Sequence, residues 1–282
     1  MSTFRELVVA ERPLVLPGAH DALSALLVKR AGFKAYFVGG FTVAGVRYGV
    51  PDIGLLGMRD FAEAYRDILA VSDLPVLVDA DNGYGDMKNV VYLLHTYERL
   101  GAQALFFEDQ VSPKRCGHIA GKQLIATEEM EGRIRAAAQN RLNPDTFLIA
   151  RTDAREVHGL DEALRRGERY VRAGADGLFI EAPVSVEEME RIGRAFDVPQ
   201  LANMLEGGRT PILRPAELEQ LGFRIVIYGI SLLLRIAATM ERALGDLKGG
   251  RIPPRDTAMS FDHYKDVVEF GKWAEIEHRY GR

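Results

Sequence analysis

The stretch PVLVDADNGYGDMKNVVYLLHTYERLGAQALFFED (75–109) holds two short apolar runs, 75–81 and 104–109, around an amphipathic stretch, 87–102. Near-continuous apolar runs of this kind suit strands buried on both faces, as in a parallel sheet, and the stretch between them suits the crossover helix. The same unit recurs outward in both directions. Towards the N-terminus stand LVLPG (14–18) and AYFVGG (35–40); towards the C-terminus stand FLIARTD (147–153), GLFIEAP (177–183), PQLANML (199–205) and IVIYG (225–229). Amphipathic helical stretches at 58–72, 128–142 and 160–175 separate them, and several end in Ala31-Gly32, Gly101-Ala102 or Ala173-Gly174, as left-handed caps do. Eight strand candidates alternating with helices predict an α/β fold, an (α/β)8 barrel of TIM type. An open doubly wound sheet is the alternative. It is disfavoured because no Gly-x-Gly-x-x-Gly turn follows the first strand.

Beyond the last barrel helix (231–248), the cluster GGRIPPRD (249–256) reads as a linker. The expected division is a barrel catalytic domain over 1–248 and a linker with a C-terminal oligomerisation helix over 249–282. That final amphipathic helix (263–281) carries Val267, Val268, Phe270, Trp273, Ile276 and Tyr280. Its apolar face must be buried on its own barrel or on a neighbouring subunit.

Composition removes other classes. The chain has 282 residues, 36 basic against 40 acidic side chains and a net charge of −4, which gives no reason to expect nucleic acid or an anionic membrane as partner. One cysteine excludes internal disulfides and four-cysteine zinc sites. No apolar run is long enough to span a membrane, and Met1–Arg12 lacks a signal-peptide core, so a soluble cytoplasmic protein is expected.

The polar residues fall at the strand ends, where a barrel builds its active site. They are Gly39 and Gly40, Asp79 and Asp81, Glu108 and Asp109, Arg151 and Asp153, Glu181, Asn203 and Glu206, and Tyr228. Any one alone could be a helix cap or a surface charge. Six strands supplying polar groups to one rim predict convergence, and converging carboxylates need a positive partner. Asp79, Asp81 and Glu108 are oxygen ligands of the kind Mg²⁺ or Mn²⁺ takes, and residues i and i+2 of a strand share a face. Facing such an ion, the Arg151 fork suits a carboxylate of an oxyacid substrate. Two Gly-bearing excursions, 45–57 with Asp52 and 110–124, are candidate lids. In the second, Lys114, Arg115 and His118 surround Cys116, a setting that favours thiolate over an inert buried thiol.

Through PGAHDALSA (17–25), VPDIGLL (50–56), DADNGYGD (79–86), FEDQVSPKRCGH (107–118), ARTDA (150–154), ADGLFIEAP (175–183) and ANMLEGGRTP (202–211), the chain resembles the isocitrate lyase/phosphoenolpyruvate mutase superfamily over nearly its whole length. KRCGH (114–118) is the signature of its lyase branch. The resemblance implies a Mg²⁺-dependent lyase that cleaves the C2–C3 bond of a 2-hydroxy di- or tricarboxylate, of methylisocitrate or dimethylmalate type, into a 2-keto acid and a carboxylic acid. It further implies that Asp79 binds the metal directly, that Asp81 and Glu108 hold its waters, and that Asp52, counted with this metal set, stands on the first gating loop. Gly39, Gly40 and Arg151 would bind the keto-acid end, and Glu181, Asn203 and Glu206 would line the pocket. Cys116 would be the proton donor, with Lys114 and His118 beside it. The family's eighth helix is exchanged between subunits, usually in a homotetramer, so helix exchange near the C-terminus is expected.

IAGKQL (119–124) and LEGGRTP (205–211) depart from methylisocitrate lyases, which place an Arg after the His and Glu-Phe-Gly at the seventh strand. Both look more like dimethylmalate lyase and carboxyphosphonoenolpyruvate mutase. A phosphonomutase or an oxaloacetate decarboxylase or hydrolase is therefore the alternative reaction. Phe41 beside Gly39-Gly40 suggests a small keto acid.

Overall fold

The computed structural model describes residues 2–115, 117, 121–252, 254 and 257–281. Eight strands appear where apolar runs predict them: β1 (Leu14–Ala19), β2 (Tyr36–Val38), β3 (Val76–Asp79), β4 (Ala104–Glu108), β5 (Phe147–Thr152), β6 (Gly177–Ile180), β7 (Gln200–Asn203) and β8 (Phe223–Tyr228). They close into a parallel barrel in sequence order, with Leu14 to Pro17 of β1 registered against Ile225 to Tyr228 of β8. Closure leaves no sheet edge, which excludes the doubly wound alternative.

Strand side chains alternate, so every second residue enters the barrel. Phe37, Leu77, Phe106, Ile149, Phe179, Leu201 and Ile227 form an inward apolar cluster. The residues between them, such as Val38, Val78, Leu105 and Ala150, face outward into a second core shared with the helices. The N-terminal helix Phe4–Ala10 closes one end: Phe4, Leu7 and Val8 are buried in the barrel cluster, and the Phe4 ring lies 5.8 Å from Phe147. The other end is left for the polar rim. Helix stops follow the glycine rule, with Gly101 and Gly174 as left-handed caps at φ 100° and 112°.

The C-terminal region differs from expectation. The helix predicted over 263–281 is two helices, Phe261–Val267 and Phe270–Tyr280, divided at Glu269, whose φ is 54°. The break lets Val267 be buried while Arg30 donates to the Asp266 carbonyl at 3.1 Å, so the first piece packs on its own barrel. Trp273 in the second piece is 63% exposed. The preceding helix, Ser231–Lys248, buries no residue at all. No helix of the described residues is long and apolar enough to cross a membrane.

Candidate active site

Two residues beyond the apolar layer, the same alternation brings a polar layer inward. Asp79 stands beyond Leu77, Glu108 beyond Phe106, Arg151 beyond Ile149, Glu181 beyond Phe179 and Asn203 beyond Leu201. All five line one cavity at the C-terminal end of the barrel. Phe37, Phe106 and Phe179 form its floor, Phe37 stacked on Phe106 at 5.7 Å between centroids and Phe179 edge-on to Phe106 at 5.4 Å. Gly39 and Phe41 also line it, whereas Gly40 stands just behind, its N–H donating to Asp79 Oδ2 at 3.1 Å. A side chain at Gly40 would begin 3.3 Å from both Asp79 Oδ2 and Asp81 Oδ1, so only glycine leaves those carboxylates undisturbed.

Asp79 and Asp81 converge, but not as neighbours on one strand face. β3 ends at Asp79, and Asp81 has a left-handed backbone at φ 47°. The turn is held by the Asp81 N–H to Asp79 Oδ1 at 2.9 Å and by Tyr84 donating to Asp81 Oδ2 at 2.5 Å. Burial first, and Asp81 second, push the Asp79 carboxyl up to about 6.

Lys114 is the cation among these acids. Its Nζ lies 2.5 Å from Asp52 Oδ1 and 2.5 Å from Asp81 Oδ1, all three side chains being buried. Burial disfavours the charged lysine, but Asp81, Glu108, Asp52 and Asp79 outweigh it and hold its pKa well above the usual lysine range. In this state Lys114 is a fixed charge rather than a proton acceptor. The contact also joins the two excursions, since Gly54 of the first lies against Pro113 of the second.

The expected metal set is therefore corrected in its geometry. Asp52 is committed to Lys114, and among the described residues no three acidic, His or Cys side chains stand as a ready metal cluster. The donor chemistry still fits a hard divalent ion. Asp79, Asp81 and Glu108 are buried oxygen donors, Glu108 Oε1 has no hydrogen-bond partner, and burial drives the Glu108 carboxyl well above its usual range despite Arg151.

Arg151 lies over the rings of Phe179 and Phe106, at 5.1 Å and 5.9 Å from their centroids. Its fork is not open, as predicted, but bidentate on Asp153: Nε to Oδ2 at 3.1 Å and Nη2 to Oδ1 at 3.2 Å. Glu108 Oε2 at 3.2 Å and Glu181 Oε2 at 3.5 Å complete its surroundings. It thus offers an acid its charge on a stacked, prearranged plane.

Other predicted residues fall elsewhere. Glu206 lies outside the cavity lining and pairs with Arg235 at 2.9 Å; the residue that reaches the cavity from that loop is Leu205. Tyr228 is likewise absent from the lining, because its outward parity in β8 takes it to the groove beside the first helices. Asp109 faces outward too. It accepts from Thr152 at 2.7 Å, Tyr170 at 2.8 Å and Arg166 at 2.9 Å, a structural knot behind the site. Cys116 and His118 lie outside the described residues, but Gly117, bonded to both, lines the cavity. Sequence reasoning missed the aromatic floor, which the two-residue period under Glu108 and Glu181 could have revealed. It also missed Leu205 and Ile230, for which no local signal exists.

The sequence profile of the phosphoenolpyruvate phosphomutase family matches residues 4–248. A 2,3-dimethylmalate lyase from Eubacterium barkeri is 42% identical over 278 residues, covering 98% of this chain and 96% of its own. This chain belongs to the PEP mutase/isocitrate lyase superfamily. It is an enzyme of that superfamily, and solved structures agree. Oxaloacetate acetylhydrolase with 3,3-difluorooxalacetate superposes with a TM-score of 0.93 at 30% identity, covering 99% of this chain and 96% of that one. Phosphonopyruvate hydrolase, solved with oxalate and Mg²⁺, gives 0.86 at 29% identity, covering 99% and 98%. The resemblance carried by DADNGYGD and KRCGH is therefore a true membership of the superfamily.

Proposed function

We propose that the protein is a Mg²⁺-dependent carbon–carbon lyase that cleaves an alkyl-substituted 2-hydroxy dicarboxylate, of dimethylmalate type, into a 2-keto acid and a carboxylic acid. The observation that carries this reading is the asymmetry of the cavity. The ends of β3 to β5 and the excursion after β4 supply Asp79, Glu108, Lys114 and Arg151; the chain at and after β2, β7 and β8 supplies Phe41, Leu205, Ile227 and Ile230, with Asn203 among them. The cations among the described lining residues are Lys114 and Arg151, and both are already engaged by protein carboxylates. A third substrate carboxylate or a transferring phosphoryl group would need further positive charge, whereas methyl groups fit the apolar wall.

In this reading Asp79, Asp81 and Glu108 hold Mg²⁺, directly or through its waters, and the ion supplies Lewis-acid stabilisation of charge on the substrate oxygens. Arg151 and Gly39 orient the keto-acid end, with Asn203 and Glu181 beside it, while Gly40 holds Asp79 through its N–H. Loss of the 2-hydroxyl proton to a base turns that C–O bond into a carbonyl as the C2–C3 electron pair moves onto C3 and into its carboxylate. Cys116 returns a proton to C3. Arg151, fixed over two aromatic rings, stabilises the developing charge without reorganising. Asp52 and Lys114 close the first excursion over the cavity, which keeps water from the carbanion.

The assay is incubation with Mg²⁺ and 2,3-dimethylmalate, 2-methylisocitrate, isocitrate, oxaloacetate or phosphonopyruvate, with keto acid and phosphate measured. Keto acid from dimethylmalate is expected. No keto acid from any alkylmalate or isocitrate would sink the lyase reading, and turnover of phosphonopyruvate or oxaloacetate alone would move the chain to the mutase or hydrolase side.

The assembly belongs to the same reading. Along helix Ser231–Lys248, Leu234, Ile236, Met240, Leu244 and Leu247 are all exposed. Beside its start runs an apolar groove formed by Val15, Pro17, Leu27, Val28, Phe33 and Tyr228. We infer a homo-oligomer, a tetramer in line with the family resemblance, in which this helix is exchanged with a neighbour.

A further inference from the structure

A second lysine of the 110–124 excursion takes no part in the chemistry above, yet it is more deeply buried than Lys114. The Lys122 side chain has 0% exposure; its Nζ lies 3.1 Å from Asp153 Oδ1 and 2.5 Å from Glu156 Oε2. It also donates to the carbonyl of Gly117. A buried ammonium is costly unless its charge is met, and here two carboxylates supply the countercharge while the Gly117 carbonyl accepts a hydrogen bond. Through its other carboxylate oxygen, Glu156 pairs with Arg209 of the loop after β7, at 3.0 Å.

The opposite side of Gly117 is equally constrained. A methyl group on its Cα would stand 2.7 Å from Glu181 Cγ and 2.8 Å from Glu181 Oε2, and would collide with Arg151 Nη2. Gly117 is thus gripped between Lys122 at its carbonyl and the Arg151–Glu181 pair at its Cα. Asp153 binds both cations, so Lys122 and Arg151 are held in one frame.

We propose that Lys122 is a positioning residue: it seats the Gly117 backbone against Arg151 and Glu181, and Glu156–Arg209 ties that seat to the β7 loop. Its catalytic consequence rests on the reading of Cys116 as proton donor; the seat itself does not. Cys116 is joined to Gly117 by a peptide bond, so freeing that backbone alters the setting of the thiol as well. Misplacement on the order of 1 Å costs about a hundredfold in rate.

Because the chain has one cysteine, iodoacetamide alkylation reports on Cys116 alone. In Lys122→Met that still melts cooperatively, we expect several-fold faster alkylation and kcat lower by about a hundredfold, with KM changed far less. Arg209→Ala, at the partly exposed end of the relay, should shift both in the same direction by less. Unchanged alkylation and kcat in folded Lys122→Met would overturn the proposal. If that variant does not fold, Glu156→Gln and Arg209→Ala decide it: faster alkylation supports the seat, and wild-type rates in both overturn it. If the wild-type enzyme turns over no hydroxy acid, the lyase reading falls, while the alkylation comparison still tests the seat.

Discussion

Arg151 shows how much of this site is prepaid. The guanidinium is buried under Asp153, Glu108 and Glu181 and laid over Phe106 and Phe179, so its position does not depend on substrate. Lysine cannot reproduce a bidentate, stacked plane. Arg151→Lys should therefore reduce kcat/KM by about a hundredfold or more in the keto-acid assay, although charge is conserved. Cys116→Ala should separate binding from chemistry, with substrate affinity by calorimetry close to wild type and turnover lower by 10²-fold or more, on the order expected for a lost general acid. Asp79→Asn should abolish the rise in melting temperature that Mg²⁺ gives the wild-type protein, because the amide cannot supply an anionic ligand. An unchanged Mg²⁺ response in that variant would remove Asp79 from the metal site.

At the scale of elements, the rim is carried by pairs of structures rather than by single strands. Asp109 faces away from the cavity, yet it accepts from the Thr152 hydroxyl, the Asp153 N–H, the Tyr170 hydroxyl and Arg166, joining β4, β5 and helix Leu160–Ala173. Burial pushes its carboxyl upward, and the Thr152 hydroxyl, the Asp153 N–H and Arg166 work against that. Removing one member leaves buried charge uncompensated, at a cost of about 3–5 kcal/mol. Asp109→Ala should thus lower the melting temperature by roughly 10 °C and distort the Arg151–Asp153 pair behind it. A melting temperature within a degree or two of wild type would show that Arg166 finds other partners. The 110–124 excursion is similarly a joint, clamped by Lys114 to Asp52 on one side and by Lys122 to Asp153 and Glu156 on the other.

For the molecule as a whole, the unfinished feature is the helix Ser231–Lys248. A helix of this length with five large exposed apolar side chains, lying next to an apolar groove, has every reason to associate. Charges placed on that face, Met240→Glu with Leu244→Glu, should convert the assembly to a smaller species by sedimentation velocity. A wild-type sedimentation profile in the double variant, or a monomeric wild-type protein, would exclude the exchange.

Strand and helix order, the barrel, the polar rim and the family could all be read along the chain, because each rests on local periodicity and on residues adjacent in a motif. Five of the rim residues, Asp79, Glu108, Arg151, Glu181 and Asn203, follow from the two-residue alternation of their strands. The rest depended on contacts between distant segments. Lys114 stands between Asp52 and Asp81, Arg151 spends its fork on Asp153, and Lys122 reaches Glu156, while Glu206 turns to Arg235 and leaves the cavity to Leu205. Periodicity tells which way a side chain points. Which charge it meets is set by the free energy of burying ions, and that is decided only when the strand ends and their loops are packed together.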